Sequence, residues 1–293
     1  MYNFKININK NLRLMSKFLD IKEFNQIKDK FEKNGILRFK NLSLNSKDLT
    51  KFTDLFTETY SNDAARRSER LGSKNIRNVD LGNQEIKLHS EASFSPVCPE
   101  IVWFYCLKPP KNNSGKTIFC DGIDLWDKLS MSTKNFFLQE PVRYSLKIPV
   151  KISAKGKGKK KWFLNNPGVK NCFLDLNKKT INFEYINFAV KNSKVPGKLA
   201  FANHLFVSLK SEPQLFSRKM NNGKKIPKKI TKEINFQAKM LTQSINWQKG
   251  DLIMIDNFRF MHGRQAIDKK DTQRDIVNIQ TFKSKYNYEY FLK

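Results

Sequence analysis

The apolar positions of this chain follow two periods in turn. Phe24, Ile27 and Phe31 recur at helical spacing behind an Asp20-x-x-Glu23 capping box, and Gly35 stops the run, so a helix is expected there. Ile36 to Phe39 reads as a strand, and Ser46 caps a second expected helix through about Tyr60. From Ile86 the period shortens. Ile101 to Leu107 is a near-continuous apolar and aromatic run closed by Pro109 and Pro110, and Thr117 to Cys120 and Tyr144 to Val150 are further strands. After Pro227 a helical face returns, formed by Ile230, Ile234, Ala238, Leu241 and Ile245, and the Gly250-Asp251 turn closes it beyond Trp247. Leu252 to Ile255 and Ile276 to Phe282 are the closing strands. Helices first, strands next, a helical interruption and strands at the end predict a β-rich core with helices around it, α+β or mainly β, and not alternating βαβ units. No repeat and no Pro/Gly/Ser-rich linker divides residues 1–293, which read as one domain.

Composition adjusts this picture in two places. The chain has 39% hydrophobic and 28% charged residues, too apolar for a disordered polymer. It carries 55 basic against 27 acidic residues, a net charge of +28, which raises the prospect of a nucleic-acid partner. However, 44 of the 55 basic residues are Lys, whereas base and phosphate recognition draws on the planar fork of Arg. Residues 151–170 and 217–232 each hold seven basic residues and no acid, and the first of these reads as a loop. A Lys-rich solvated surface is the favoured reading and a nucleic-acid partner the disfavoured one. No apolar run is long enough to cross a membrane and the N-terminus lacks a secretory pattern, so the expected location is cytoplasmic. Cys98, Cys106, Cys120 and Cys172 form no CxxC pair and read as buried free thiols.

The chemistry must draw on three histidines, His89, His204 and His262. In Leu88-His89-Ser90-Glu91, positions i and i+2 of a strand end point to the same side, where an imidazole and a carboxylate can grip one metal ion. His262 follows a second expected strand. Two His and one carboxylate make a facial triad that leaves coordination positions open and suits Fe(II). Gly115-Lys116-Thr117 lies downstream of the first pair, and Arg274 lies twelve residues after His262, with Arg the natural clamp for a carboxylate.

Two stretches carry a family resemblance. LHSEASFSPVCPEIVWFYCLKPPKNNSGKTIFCDG resembles the first metal-binding half of the TauD/TfdA-like Fe(II)/2-oxoglutarate dioxygenases, and NNGKKIPKKI through INWQKGDLIMIDNFRFMHGRQAI to QRDIV resembles the second. With the N-terminal pattern the resemblance covers most of residues 20–285. It implies a double-stranded β-helix (jelly-roll) core with flanking helices and a long helical or loop insert at about 151–245. It implies His89, Glu91 and His262 as iron ligands and 2-oxoglutarate and O2 as co-substrates, with succinate and CO2 released. Thr117 would bond a 2-oxoglutarate carboxylate and Arg274 would pair with the distal one. Glu91 stands where many members have Asp, as in a clavaminate synthase-like branch of amino-acid hydroxylases and antibiotic-biosynthesis enzymes. Its presence disfavours halogenation. Some members carry a second Arg four positions after the clamp; here that position is Asn278, and Arg264 is the expected substitute or a loop brace.

Ser93, Phe94, Asn203 and His204 are candidates for the substrate side. One of Arg66, Arg67, Arg70 and Arg77 is a candidate carboxylate or phosphate contact. Asp121 and Asp256 are expected to brace loops, and Trp126, Trp162 and Trp247 to serve as core or hinge residues. The expected activity is hydroxylation of a small molecule such as an amino acid or its derivative. The substrate is anionic or presented by an acidic carrier protein, and a homo-oligomer is compatible with the pattern. The competing readings are a basic nucleic-acid-binding protein on a β scaffold and a nucleobase or nucleic-acid oxygenase using the same chemistry.

Overall fold

The structure is a computed structural model and describes residues 7–8, 21–61, 67–79, 82–149, 166–206, 216–271 and 273–285. Strand β7 (Ile101–Lys108) shows how the core is divided. Ile101, Trp103 and Tyr105 join one apolar cluster, and Val102, Phe104 and Cys106 join another, as the two-residue period of a strand requires. Both faces are covered, which explains why the run lacks polar alternation. The main sheet runs β1 (Asn7–Ile8), β2 (Ile36–Phe39), β16 (Leu252–Asp256), β7, β18 (Asp275–Ser284), β5 (Ser73–Asn78) and β4 (Glu69–Arg70). β3 (Thr57–Tyr60) also pairs with β18. Helices α1 (Ile21–Asn34) and α2 (Ser46–Asp54) close its outer face through Ile27, Phe31, Leu49 and Phe52.

A second sheet runs β15 (Gln243–Ile245), β8 (Thr117–Asp121), β17 (Phe260–Arg264) and β6 (Ile86–His89). Phe119, Phe260 and Trp247 pack with Phe104 and Ile255 between the two sheets, so the sandwich is mainly β with a jelly-roll core. The far face of the second sheet presents Ile118, Cys120 and Met261. Against it pack α3 (Gly122–Lys128), α4 (Met131–Gln139), α5 (Lys228–Leu241) and a further sheet in the order β10 (Val169–Asp175), β11 (Thr180–Asn187), β9 (Val142–Pro149) and β14 (Phe216–Met220), with the hairpin β12 (Val190–Asn192) and β13 (Leu199–Phe201).

Four expectations are corrected. The second helix ends at Asp54, and Thr57–Tyr60 is a strand whose Thr57 hydroxyl meets that of Thr281 at 2.7 Å. Its N-cap is Asn45, which accepts the Asp48 N–H, and not Ser46. Ile245 does not continue the face of α5, because the helix ends at Leu241 and Ile245 pairs with Thr117 in β15. The insert expected to be helix and loop holds helix α5 in its described parts but also the strands β10 to β15, and its sheet starts earlier, at Val142. Asp20, Arg66, Trp162 and most of the 151–170 segment lie outside the described residues. Trp126 and Trp247 are buried as expected, as are Cys106 and Cys120, whose thiols burial pushes up to about 12. No helix among the described residues is long and apolar enough to cross a membrane.

The expected loop braces hold the connection between β16 and β17. Asp121 caps α3 through the Ile123 N–H and binds Arg259 at 2.6 Å. Asp256 accepts the Phe258 N–H at 2.9 Å. Burial pushes the Asp256 carboxyl up to about 6 from an ordinary 3.8, against the opposing pull of that N–H and of Lys194 and Arg259. The folded chain therefore holds a proton that the unfolded chain has already released. Stability contributed here is full below about pH 4 and is lost as pH rises through about 6. Denaturant midpoints of wild type and Asp256→Asn, measured from pH 4 to 7, should diverge in the variant's favour as pH rises.

Candidate metal centre and its flanking cavities

β6 and β17 are antiparallel neighbours, and their register sets His262 directly opposite His89. The two imidazole centroids are 4.5 Å apart, and both residues are buried. His262 shares a strand face with Phe260 and Arg264, which turns it into the space between the sheets and brings it 5.3 Å from the Phe104 ring. His89 Nδ1 lies 2.8 Å from the Lys87 carbonyl. A carbonyl only accepts, so Nδ1 carries the hydrogen and Nε2 carries the lone pair.

Glu91 sits just past the end of β6, where Asn257 holds the chain. The Glu91 N–H donates to Asn257 Oδ1, and Asn257 Nδ2 donates to the carbonyls of Glu91 and Pro99. Ser90 Oγ donates to the Asn257 carbonyl. The Glu91 carboxylate lies 3.8 Å from His262 Nε2 and 3.0 Å from Arg67 Nη2. Burial alone would raise this carboxyl, but Arg67, together with His262 and His89, holds it well below the usual carboxylate range. One donor atom from each of His89, Glu91 and His262 lies within 4.8 Å of the others. Two imidazoles and an ionised carboxylate whose donor atoms converge in this way, with His262 Nε2 turned toward Glu91, fit a divalent iron.

A cavity of about 40 Å³ opens beside the triad. Arg67, Thr117, Arg264 and Arg274 line it with both imidazoles, and no acid of the described residues does. Trp247 Nε1 donates to Thr117 Oγ1 at 2.9 Å. Arg264 Nη2 donates to the carbonyls of Gly82 and Gln84, and Arg274 Nε donates to that of Gly115. Burial and the neighbouring Arg264 charge push Arg274 down to about 10. Guanidinium groups gathered around a small cavity offer paired hydrogen-bond donors that suit a dianion.

The other side of His89 is aromatic. The His204 ring lies 5.1 Å from that of His89, 4.7 Å from Phe94 and 5.8 Å from Phe216. Burial and the adjacent His89 push His204 down to about 3, so it is neutral at physiological pH. Asn203 is engaged by structure: its Nδ2 donates to the Ala189 carbonyl, its Oδ1 accepts the Leu205 N–H and its own carbonyl accepts the Ser90 N–H. Ser93 is buried, and its hydroxyl has no hydrogen-bond partner among the described residues. A cavity of about 300 Å³ adjoins this segment, lined by Leu205, Phe206, Ile226 and Ile234 and carrying Arg218 and Lys225.

The residues missed in the sequence are Asn257 and the pairing of Arg67 with Asn278. Arg67 Nη1 donates to Asn278 Oδ1 at 2.8 Å, and Asn278 Nδ2 donates to the Trp103 carbonyl. Of the other N-terminal arginines, Arg70 pairs with Asp275 and Arg77 donates to the Arg67 carbonyl. The local sequence carries no signal of these long-range contacts, beyond the concentration of Arg before the first motif.

Comparison with known proteins gives a consistent result. The family model for taurine catabolism dioxygenase TauD, TfdA family, matches residues 5–280. The curated protein 3-((Z)-2-isocyanoethenyl)-1H-indole synthase of Fischerella ambigua is 21% identical over 211 residues, which are 70% of this chain and 66% of that relative, just under two thirds of its length. The solved structure of AAD-2 in complex with Mn(II) and N-oxalylglycine matches with a TM-score of 0.58 at 16% identity, over 91% of this chain and 89% of that one. A taurine dioxygenase from Burkholderia xenovorans matches with a TM-score of 0.58 at 12% identity, over 91% and 82%. At these identities the structures speak for the fold.

Proposed function

The chain belongs to the TauD/TfdA family of taurine catabolism dioxygenases, and on that premise we propose that it is an iron(II)- and 2-oxoglutarate-dependent oxygenase that hydroxylates a small molecule. The observation that carries this reading is the buried His89, Glu91 and His262 cluster beside a cavity walled by guanidinium groups. In this reading residues 1–293 work as one domain, with the segment at about 151–245 inserted between the two metal-binding halves. His89, Glu91 and His262 would hold the iron, which when bound would supply oxygen activation coupled to decarboxylation of 2-oxoglutarate. The protein's residues do the rest. Arg274 and Thr117 take the distal carboxylate of 2-oxoglutarate, and Arg264, tied to two carbonyls, fixes the neighbouring wall. His204, neutral, and Phe94 exclude water on the opposite side, where substrate approaches past the Ser93 hydroxyl.

The larger cavity supports a substrate with an apolar body and an anionic group, such as an amino acid or its derivative. Its volume of about 300 Å³ lies at the small end of ligand pockets, and its walls pair aromatic and aliphatic side chains with Arg218 and Lys225. The relative named as an isocyanoethenyl-indole synthase supports a small organic substrate of this kind. The test is succinate release across a panel of aromatic and aliphatic amino acids, indole acids, sulfonates and nucleobases, with iron(II) and 2-oxoglutarate supplied. Stimulation by an amino acid or indole acid supports the reading, and stimulation only by nucleobases or oligonucleotides contradicts it. With a substrate in hand, Arg218→Ala should raise its KM about tenfold with kcat little changed, because a charge-assisted contact to the anionic group is present equally in ground and transition states. A KM that does not move would remove Arg218 from the substrate site.

A further inference from the structure

Arg67 stands at the join between the metal cluster and the arginine-lined cavity. Its guanidinium bridges two acceptors, Glu91 Oε2 at 3.0 Å and Asn278 Oδ1 at 2.8 Å. The Asn278 amide cannot turn away, because its Nδ2 is tied to the Trp103 carbonyl at 3.0 Å. The backbone of Arg67 is tied as well, through the Arg77 side chain on its carbonyl at 2.9 Å. The side chains of Arg67 and Glu91 are 11% and 13% exposed, so this ion pair is shielded from water. The other two guanidinium groups of the cavity are anchored elsewhere, Arg264 on Gly82 and Gln84 and Arg274 on Gly115. Arg67 is the one of the three in contact with a carboxylate of the metal cluster.

We infer that Arg67 is an exchangeable counter-ion: it neutralises Glu91 while the centre lacks metal, and it transfers to the metal-proximal carboxylate of 2-oxoglutarate when metal takes Glu91. The inference rests on the oxygenase reading above. Its physical basis is charge accounting. A buried carboxylate without metal needs a cation, and Arg67 supplies it. A metal-bound Glu91 no longer needs Arg67, which would then leave a buried cation without an anion. A dicarboxylate that chelates the metal brings a carboxylate oxygen to that same end of the cavity, within reach of the fork that Asn278 holds in place. A guanidinium delivered from residue 67 thus serves the end of the cavity where Asn278 itself carries no charge.

The arrangement makes the metal and the co-substrate cooperative, and the coupling must be reciprocal. Arg67 competes with metal for Glu91, so removing it tightens binding of metal alone. The same removal weakens 2-oxoglutarate. The test uses the full chain with Mn(II), which resists oxidation in air. Mn(II) affinity is read by equilibrium dialysis or electron paramagnetic resonance, and 2-oxoglutarate affinity of the Mn(II) form by calorimetry. Arg67→Ala should bind Mn(II) alone about tenfold more tightly and 2-oxoglutarate about tenfold more weakly, within the range of allosteric couplings. Arg67→Lys, which keeps the charge and serves if the alanine variant fails to fold, should restore part of both. Arg274→Ala should weaken 2-oxoglutarate and leave Mn(II) alone unchanged. An Arg67 variant that leaves both affinities unchanged, or moves both in the same direction, overturns the inference. Wild-type protein that binds Mn(II) but no 2-oxoglutarate overturns the oxygenase reading as well, which separates the two failures.

Discussion

Glu91→Ala is expected to cost more function than any other single change of one side chain. The variant keeps two imidazoles 4.5 Å apart but loses the only carboxylate of the cluster, and it leaves Arg67 facing them with no anion. Repulsion between that guanidinium and an incoming cation adds to the lost bond. Even changes outside the ligand shell of a metal site cost about 10–100-fold in affinity, so loss of a ligand here should cost at least about 100-fold. Equilibrium dialysis with Mn(II), in chloride-free buffer, reads this directly, and substrate-dependent succinate release should fall to background. Removal of one partner of the buried pair with Arg67 should also cost about 3–5 kcal/mol of stability, so a thermal melt accompanies the dialysis, while the Asn257 contacts to the Glu91 backbone stay intact. Affinity within a few-fold of wild type would remove Glu91 from the ligand set.

Gly263→Ala should damage the same centre without touching a ligand. Gly263 sits where the β6–β17 ladder shifts register between His262 and Arg264. A Cβ placed there would lie 2.5 Å from the Ile86 carbonyl oxygen and 3.1 Å from the Lys87 carbonyl carbon, both backbone atoms of the opposing strand. The strands must part, and they carry His262 and His89 apart with them. Overpacking of this kind costs about 1–3 kcal/mol of stability. A misplacement of about 1 Å in a catalytic site costs about 100-fold in rate, so activity should fall further than stability. A thermal melt paired with Mn(II) binding checks both. Unchanged metal affinity would mean that the strand register does not hold the cluster together.

The parts of this molecule that were legible in the sequence are those with short-range periodicity. β7, β16 and β8 were visible because strands buried on both faces become continuous apolar runs. The pairing of His89 with Glu91 was visible through their spacing of two. His262 enters as a candidate third ligand because the chain has three histidines, and the resemblance supports it, but the register that sets it opposite His89 joins strands more than 170 residues apart and leaves no local trace. The hairpin of β10 and β11 was missed although Thr180 to Asn187 alternates beyond a Lys-rich turn. Helical spacing continues through Phe56 and predicts helix over Thr57–Tyr60, whereas pairing with β18 outweighs that propensity. Arg67 is among the four arginines that the sequence marks as candidate carboxylate contacts, and it does pair with Glu91, whereas its pairing with Asn278 and the role of Asn257 are beyond reach for a different reason. Each acts through a side chain that bridges distant segments, and an isolated Arg or Asn has no pattern of its own. The basic surplus also looks different with the fold in view. The arginines lining the small cavity, 67, 264 and 274, are few and scattered in sequence, and no lysine among the described residues lines that cavity.

The central claim is that His89, Glu91 and His262 hold one iron ion next to a site for 2-oxoglutarate. The most direct measurement is an anaerobic absorption titration in which iron(II) is added to the full chain and 2-oxoglutarate follows. The account predicts a visible charge-transfer band that grows to one equivalent of 2-oxoglutarate in wild type and is absent in Glu91→Ala and His262→Ala. Wild-type protein that yields no band and binds no 2-oxoglutarate, or variants that retain the band at full strength, would contradict it.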